Sequence, residues 1–451
     1  MTVKKLHEAG RRLVRTNAFV SLLGNGVSAL LGLLTLAILA RVCSKEEFGK
    51  WILFLTVYAL ADTLRSGLIL NALIRNLATE TSVPMIRRWA GAAWQLSAAF
   101  LGVMTVLLFG IAGLASMFGY GGQWPTLVGW IVGLSAVALP VNISGWLLQA
   151  RSRFKAMQAV RVGVQLLFLA FIAGGHYTNI VDSTYLLIAY TLTHALVSAV
   201  VLLTGWAQPG AMLAGTGQER GNLLNFGRYS MGTLLVSNLL RSSDRLLIGA
   251  FMGPEAVVVY TLPQRLVELI EMPIRSVVIT DLPRLAQLYA SRSASGWATY
   301  FHEQAGRLWL MLLPLCIGGF LAAQPLLQLL GGDGTGDSAS VLRFFMVYAL
   351  FLALDRYSGV GLDIVNKPQK NLLKVICMLV VNLIGDLIAL LVFKSVVGVA
   401  FVSITTFLVG LFVGFRFLRA YVPVSLRRTL QAGVGQFFQL IKQVRHEWAR
   451  Q

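Results

Sequence analysis

Apolar residues in this chain run on over stretches too long for a strand and too uniform for the buried stripe of a soluble helix. Stretches near the roughly 20 residues a helix needs to cross a bilayer lie at 17–42, 50–73, 89–115, 124–149, 155–175 and 183–205, then at 227–251, 255–281, 303–330, 341–361, 371–393 and 396–419. The pattern predicts an all-α polytopic membrane protein of about 12 transmembrane helices. The longest polar, Gly-rich interruption, 206–226, divides them six and six. The expected organisation is therefore an N-terminal six-helix bundle at 1–205, a cytoplasmic linker at 206–226, a C-terminal six-helix bundle at 227–420 and a basic amphipathic cytoplasmic tail at 421–451.

The polar positions between the runs set the orientation. Lys4, Lys5, Arg11, Arg12 and Arg15 precede the first run, and the same side then receives Arg75, Arg87, Arg88, Arg151, Arg153, Lys155, Arg220, Arg228, Arg284, Arg292, Lys367, Lys370, Lys374 and the tail from Arg416 onward. The opposite loops hold Lys45, Lys50 and Lys394. Cytoplasmic loops carry the excess of Lys and Arg, so both termini are expected in the cytoplasm. In the tail, Leu430, Val434, Phe437, Ile441, Val444 and Trp448 fall near one helical face beside Lys442 and Arg445. That pattern fits either a helix lying on the cytoplasmic leaflet or a tail docked on the bundle.

Composition agrees with the pattern: the chain is 56% hydrophobic and 13% charged, with mean hydropathy +0.71. The net charge of +19 would suit nucleic acid, but its placement makes it a topology signal, with anionic lipid headgroups as the expected neighbours. The first apolar run is too long for a cleavable signal peptide and lacks a small-residue cleavage site, so it is read as a span. Cys43, Cys316 and Cys377 lie in or near different spans without paired spacing, which argues for packing rather than a disulfide or a zinc site. His176, His194 and His302 show no ligand or dyad spacing, and no metal or other cofactor is expected.

The pattern is broken by ionised residues inside the spans: Asp62 and Arg65; Arg241, Asp244 and Arg245; Arg265, Glu268, Glu271 and Arg275; Asp355 and Arg356; Asp386. Each would cost about 2.5 to 3.5 kcal/mol at a helix centre facing lipid, so they must line something wet or pair with one another. Asn238, Arg241 and Arg245 recur at helical spacing with Asp244 beside them, and Gln264, Glu268, Glu271 and Arg275 put about three turns of polar face on the next span. Guanidinium forks match phosphate oxygens, and nearby carboxylates keep such a site from permanent occupancy or take up H⁺ or Na⁺. Static ion pairs between helices are the alternative for any one residue. Arg161 sits close enough to the cytoplasmic end to snorkel, and Asp386 lies one turn from Asn382. Residues 40–78 aligned without a gap on 249–287 place Glu46 on Glu255, Asp62 on Glu271 and Arg75 on Arg284, which suggests two related halves.

Four stretches carry a resemblance to a known family: LLTLAILARVCSKEEFGKW at 33–51, LLQARSRFKAM at 147–157, RSSDRLLIGAFMGPEAVVVYTLP at 241–263 and NKPQKNLLKVICMLVVNLIGDLIALLVFKSVVGVAFVS at 366–403. Together they are similar to the lipid-linked oligosaccharide flippases, or polysaccharide transporters, of the multidrug/oligosaccharidyl-lipid/polysaccharide exporter superfamily. The resemblance implies two six-helix bundles around a central cavity, in the bacterial cytoplasmic (inner) membrane. It also implies a polyprenyl-diphosphate-linked glycan as substrate, carried to the outer leaflet for O-antigen, capsule or exopolysaccharide synthesis, with polymerase and glycosyltransferases of that pathway as partners. On it, Arg65, Arg241, Arg245, Arg265, Arg275 and Arg356 hold diphosphate or acidic sugar. Asp62, Asp244, Glu268, Glu271, Asp355 and Asp386 are coupling sites for H⁺ or Na⁺, or partners of the arginines.

The competing readings are a cation-coupled multidrug exporter of the same superfamily, against which the arginines weigh, and the related flippase for the peptidoglycan lipid precursor, which fourteen spans would favour. A membrane glycan polymerase or ligase needs a substantial outer loop, and the longest here is GGDGTGDSAS at 331–340. The expectation is thus a transporter and not an enzyme.

Overall fold

A computed structural model of the chain describes residues 17–78, 80–117, 124–331 and 336–436. The basic residues of 1–16, loop residues 332–335 and the tail beyond Gln436, with its Phe437, Ile441, Lys442, Val444, Arg445 and Trp448, lie outside the described residues. The described chain divides into two compact units, one ending at Asn238 and the other beginning at Leu239.

In the first unit the helices are α1 (Asn17–Val42), α2 (Lys45–Leu77), α3 (Val83–Met117), α4 (Trp124–Val137), α5 (Leu139–Ala150), α6 (Phe154–Tyr177) and α7 (Ser183–Leu203). They start where the sequence supplies a side-chain acceptor for orphan N–H groups: Ser44 accepts from Glu47 N and Asp182 from Tyr185 N. They stop where a residue can turn left-handed, as Ser152 and Asn179 do. Helices α4 and α5 meet at a bend of 44°, with Pro140 in the first turn beyond the break. Helix α1 packs on α6, α3 on α4, and α2 on α3, α5 and α7. The core combines small and large side chains, with Ala72, Ala90 and Ala93 beside Ile69, Leu73, Trp89, Ile143 and Leu147. A second aromatic cluster joins Trp51, Phe54, Phe168 and Tyr190.

The segment expected as a linker is structured. Residues Pro209–Ala211 form a short 3₁₀ turn held on α3, with Trp94 Nε1 donating to Ala207 O at 2.8 Å and Gln95 Nε2 to Met212 O at 2.9 Å. Helix α8 (Gly217–Met252) then begins ten residues before the expected start at 227. Its early turns belong to the first unit: a Cβ on Gly227 would collide with the backbone of Leu68, and Asn71 Nδ2 donates to Ser230 Oγ at 2.6 Å. The division between the units falls inside this helix, not in a loop.

The second unit continues with α9 (Pro254–Ala290), α10 (Ala294–Leu321), the short α11 (Ala323–Gly331), α12 (Gly336–Ile364), α13 (Pro368–Leu391) and α14 (Val396–Leu418), followed by α15 at 426–436. Helix α12 is central, packed by α9, α10, α13 and α14. Around it Tyr260, Trp297, Phe301, Phe345 and Tyr357 are almost wholly buried. Helix α9 carries Pro263, Pro273 and Pro283 in its interior, each of which removes one i→i−4 bond and frees a carbonyl. The described part of the tail, α15, docks on α10. His302 Nδ1 lies 2.7 Å from Thr429 Oγ1, Gly306 and Gly433 leave no room for a Cβ between the two backbones, and Arg307 Nε donates to Gln436 Oε1 at 3.0 Å. Val434, on the expected apolar face, stays exposed.

Nine helices among the described residues are long and apolar enough to cross a membrane, ten if the bent α4–α5 pair is a single span. Helices α8 and α9, which were expected to be spans, are as long but too polar to pass on composition, since they hold most of the intramembrane charges. Exposed apolar side chains confirm the solvent these helices face. On α3 alone Val103, Val106, Leu107 and Ile111 are each more than half exposed, a surface that water would not tolerate.

Candidate functional site

The largest concentration of charge lies in the second unit, where α8, α9 and α12 bring three guanidinium groups to one carboxylate oxygen. Glu271 Oε2 is 2.5 Å from Arg275 Nη2, 3.0 Å from Arg241 Nη2 and 3.6 Å from Arg356 Nη2. Arg275 is reached by the ordinary i, i+4 spacing, whereas Arg241 and Arg356 come from other helices. One turn before Glu271 on α9, Arg265 Nη1 pairs with Glu268 Oε2 at 2.8 Å. Arg245, one turn after Arg241 on α8, lies in the field of Arg265 and Glu268, makes no ion pair among the described residues, and has a buried Nε without a partner. Five guanidinium groups thus face two carboxylates, a surplus of three positive charges. Such a surface can take a polyanion, because guanidinium is weakly hydrated and presents forked donors.

Asp244, though between Arg241 and Arg245 in sequence, turns to the other side. Its Oδ1 accepts from Asn382 Nδ2 at 2.9 Å and its Oδ2 accepts from the Tyr260 hydroxyl, which also lies 3.5 Å from Ser403 Oγ. Asn382 Nδ2 also donates to Asp386 Oδ2 at 2.6 Å, so one amide bridges two carboxyls. Asp386 is 0% exposed, and its Oδ1 is buried with no hydrogen-bond partner among the described residues. Neither acid has a Lys, Arg or His within ion-pairing distance among the described residues. Both acids are thus held by amide and hydroxyl donors rather than by a cation among the described residues.

Asp355 and Arg356 part company for the same reason of helical direction. Arg356 points to Glu271, while Asp355 Oδ1 accepts from Lys374 Nζ at 2.7 Å inside the α12–α13–α14 packing. Lys374, counted in the sequence as a loop cation, is instead almost fully buried.

In the first unit, Asp62 and Arg65 pair with each other. Asn142 Nδ2 donates to Asp62 Oδ1 at 3.1 Å, Arg65 Nη1 reaches Ser135 O at 3.4 Å, and Arg65 stands 5.8 Å from the Trp146 ring centre. Arg65 is only 2% exposed while the Asp62 side chain is 29% exposed, so the pair joins a buried cation to a half-buried acid at a small recess lined by Ala61, Phe100, Leu101 and Met104. Arg161 does not snorkel alone: its Nη1 donates to Asn25 Oδ1 at 2.9 Å, an oxygen that Gln158 Nε2 also approaches at 3.1 Å. Among the described residues no group of His, Cys, Asp or Glu is arranged to hold a metal by three such ligands, and the three cysteines are unpaired.

Sequence spacing therefore grouped the arginines and Glu271 with their neighbours. It did not reveal Tyr260, Ser403 and Lys374, whose partners lie on other helices. Asn382 was legible from its position four residues before Asp386.

Two helical bundles whose spans carry ionised side chains, with an arginine surplus and a buried acid cluster in the second, define a polytopic membrane protein. The solved structures similar to it include a lipid II flippase, MurJ, in an inward closed conformation, at 12% identity and a TM-score of 0.72 over 94% of this chain and 92% of that one. An inward-facing multidrug resistance MATE family transporter matches at 16% identity and 0.72, over 87% and 94%. A superfamily transporter from Pyrococcus furiosus described by the reverse polarity of its binding pocket matches at 16% identity and 0.55, over 90% and 94%. No curated protein matches the sequence. Residues 14–289 match the profile of the family described as polysaccharide biosynthesis protein, and the chain belongs to that family.

Proposed function

We propose that this protein is a flippase that carries a polyprenyl-diphosphate-linked oligosaccharide across the bacterial cytoplasmic membrane for surface polysaccharide synthesis. The observation that carries the reading is the arginine surplus on α8, α9 and α12, centred on Glu271. A diphosphate offers several oxygens at fixed spacing, and Arg241, Arg245, Arg265, Arg275 and Arg356 supply forked donors for them. Membership in a polysaccharide biosynthesis family is consistent with a glycan on that diphosphate. Arg65, paired with Asp62, is a candidate contact from the first unit. Asp244 and Asp386 are the coupling site, taking up H⁺ or Na⁺ in one stage of the cycle and releasing it in another. Glu268 and Glu271 serve as partners of the arginines, and Asp355 as the partner of Lys374. Both termini lie in the cytoplasm, with anionic headgroups beside the basic loops, and the protein works alongside glycosyltransferases and a polymerase of its pathway.

A cation-selective multidrug exporter would find its best carboxylates in Asp244 and Asp386, but their burial admits an ion and not an organic cation. The test is translocation of a lipid-diphosphate glycan by the purified protein in liposomes. Arg241→Ala with Arg245→Ala should abolish it, and Asp386→Asn should remove its dependence on pH or Na⁺. Undiminished transport by the double variant would refute the phosphate role, and unchanged ion dependence in Asp386→Asn would remove the coupling role.

A further inference from the structure

We propose that Glu271 is a built-in counter-anion: it occupies the arginine site in the empty protein, competes with the substrate's diphosphate for the same three guanidinium groups, and so sets the rate at which the substrate is released. The inference rests on the reading of the arginines as the diphosphate site. Its basis is the way the donors are used. Arg241, Arg275 and Arg356 all address a single oxygen, Oε2, and each does so through one Nη2. A guanidinium carries five N–H donors in a rigid fork, so most of the donors around Glu271 are spent on no carboxylate. The exposures point the same way: Glu271 is 14% exposed, and Arg241, Arg275 and Arg356 are 42%, 46% and 37% exposed. The acid is enclosed and the cations around it are open. An ion pair built for stability would show the reverse economy, a bidentate fork on both carboxylate oxygens with little left over.

A single carboxylate oxygen imitates one phosphate oxygen. An arriving diphosphate has more of them, at spacings that suit the unused forks, so it can take the arginines from Glu271 while Glu271 remains beside them. Glu271 is anchored on α9 only four residues from Arg275, and its charge is always near at hand to reclaim the guanidinium groups. Binding is thereby weakened and departure hastened, which a carrier requires, since a site that holds its cargo too firmly does not turn over. Arg245 has no such competitor within ion-pairing distance among the described residues, and Glu268 pairs with Arg265, whereas Glu271 gathers three of the arginines at once.

The full-length protein in nanodiscs is titrated with inorganic pyrophosphate by calorimetry, and translocation of a lipid-diphosphate glycan is followed in liposomes. Glu271→Gln should bind pyrophosphate about ten-fold more tightly, the step that 1.4 kcal/mol produces, and translocate more slowly at saturating substrate. Arg241→Ala with Arg356→Ala should bind it more weakly. If Glu271→Gln binds no tighter while the double variant loses binding, the counter-anion role is wrong and the arginine site stands. If the double variant binds like the wild type, the arginine site itself is wrong. Should Glu271→Gln not fold, Glu271→Asp replaces it: the shorter arm cannot reach Arg241 and Arg356 together, so it too should tighten pyrophosphate, by less, and unchanged or weaker binding would overturn the proposal.

Discussion

Replacing Lys374 by methionine leaves the Asp355 carboxylate without its cation in the packing of α12, α13 and α14. The pair is closed, with side-chain exposures of 3% for Lys374 and 12% for Asp355 and a separation of 2.7 Å. At that distance two unit charges attract by about 6 kcal/mol at an effective dielectric near 20. Taking both ions out of water costs several kcal/mol each, so the intact pair contributes little net stability, while removal of one partner costs about 3–5 kcal/mol. Gly359 and Gly414 crowd the lysine, so water has little room to replace it. For a unit of this size about 2–4 °C is lost per kcal/mol, which puts the expected fall in the thermal midpoint on the order of 10 °C. The assay is thermal unfolding in detergent, followed by intrinsic tryptophan fluorescence, on Lys374→Met, Asp355→Leu and the double variant. The double variant should recover most of the loss, because two apolar groups replace two ions. A single variant within about 1 kcal/mol of the wild type, or singles whose effects simply add in the double, would refute the burial argument.

Two further outcomes follow from contacts near the membrane surfaces. Cys43, between α1 and α2, has its thiol pushed up to about 11 by burial and then by the charges of Glu47 and Asp182. Because only the thiolate reacts, maleimide labelling of the detergent-solubilised protein should be roughly a hundredfold slower at pH 7 than for an ordinary thiol. It should rise about ten-fold per pH unit toward pH 10 and be faster in Glu47→Gln. Labelling at the ordinary rate would contradict this environment. Gly306→Ala places a methyl group against the Thr429 carbonyl and Gly433, a strain of about 1–3 kcal/mol. It should loosen α15 and speed tryptic cleavage at Arg427 and Arg428 in the detergent-solubilised protein; unchanged cleavage would mean that α15 is not held there.

Particular residues mark where sequence reasoning ended. Hydropathy found the helices because spanning segments must be apolar for their whole length, and the two that failed on composition, α8 and α9, did so through the charges that made them interesting. Local spacing put Glu271 and Arg275 on one face, because residues four apart on a helix are neighbours, and the structure pairs them; it named Asp62 and Arg65 together without pairing them, and they too pair. It grouped Asp355 with Arg356 and Asp244 with Arg241 and Arg245 as neighbours, although adjacent residues on a helix point about a quarter turn or more apart. It also counted Lys374 among the loop cations, since a lysine one turn inside a helix has no hydropathic mark of burial.

By itself the chain's order of residues determined that it is a helical, multi-pass membrane protein, with ionised groups on a few of its helices. That much follows from the cost of polar groups in lipid, which acts on each segment alone. The tertiary structure decided the partners: Glu271 with three arginines, Asp244 and Asp386 on one amide, Asp355 with Lys374. Coulomb and hydrogen-bond energies depend on distances between helices far apart in sequence, and only folding sets those distances.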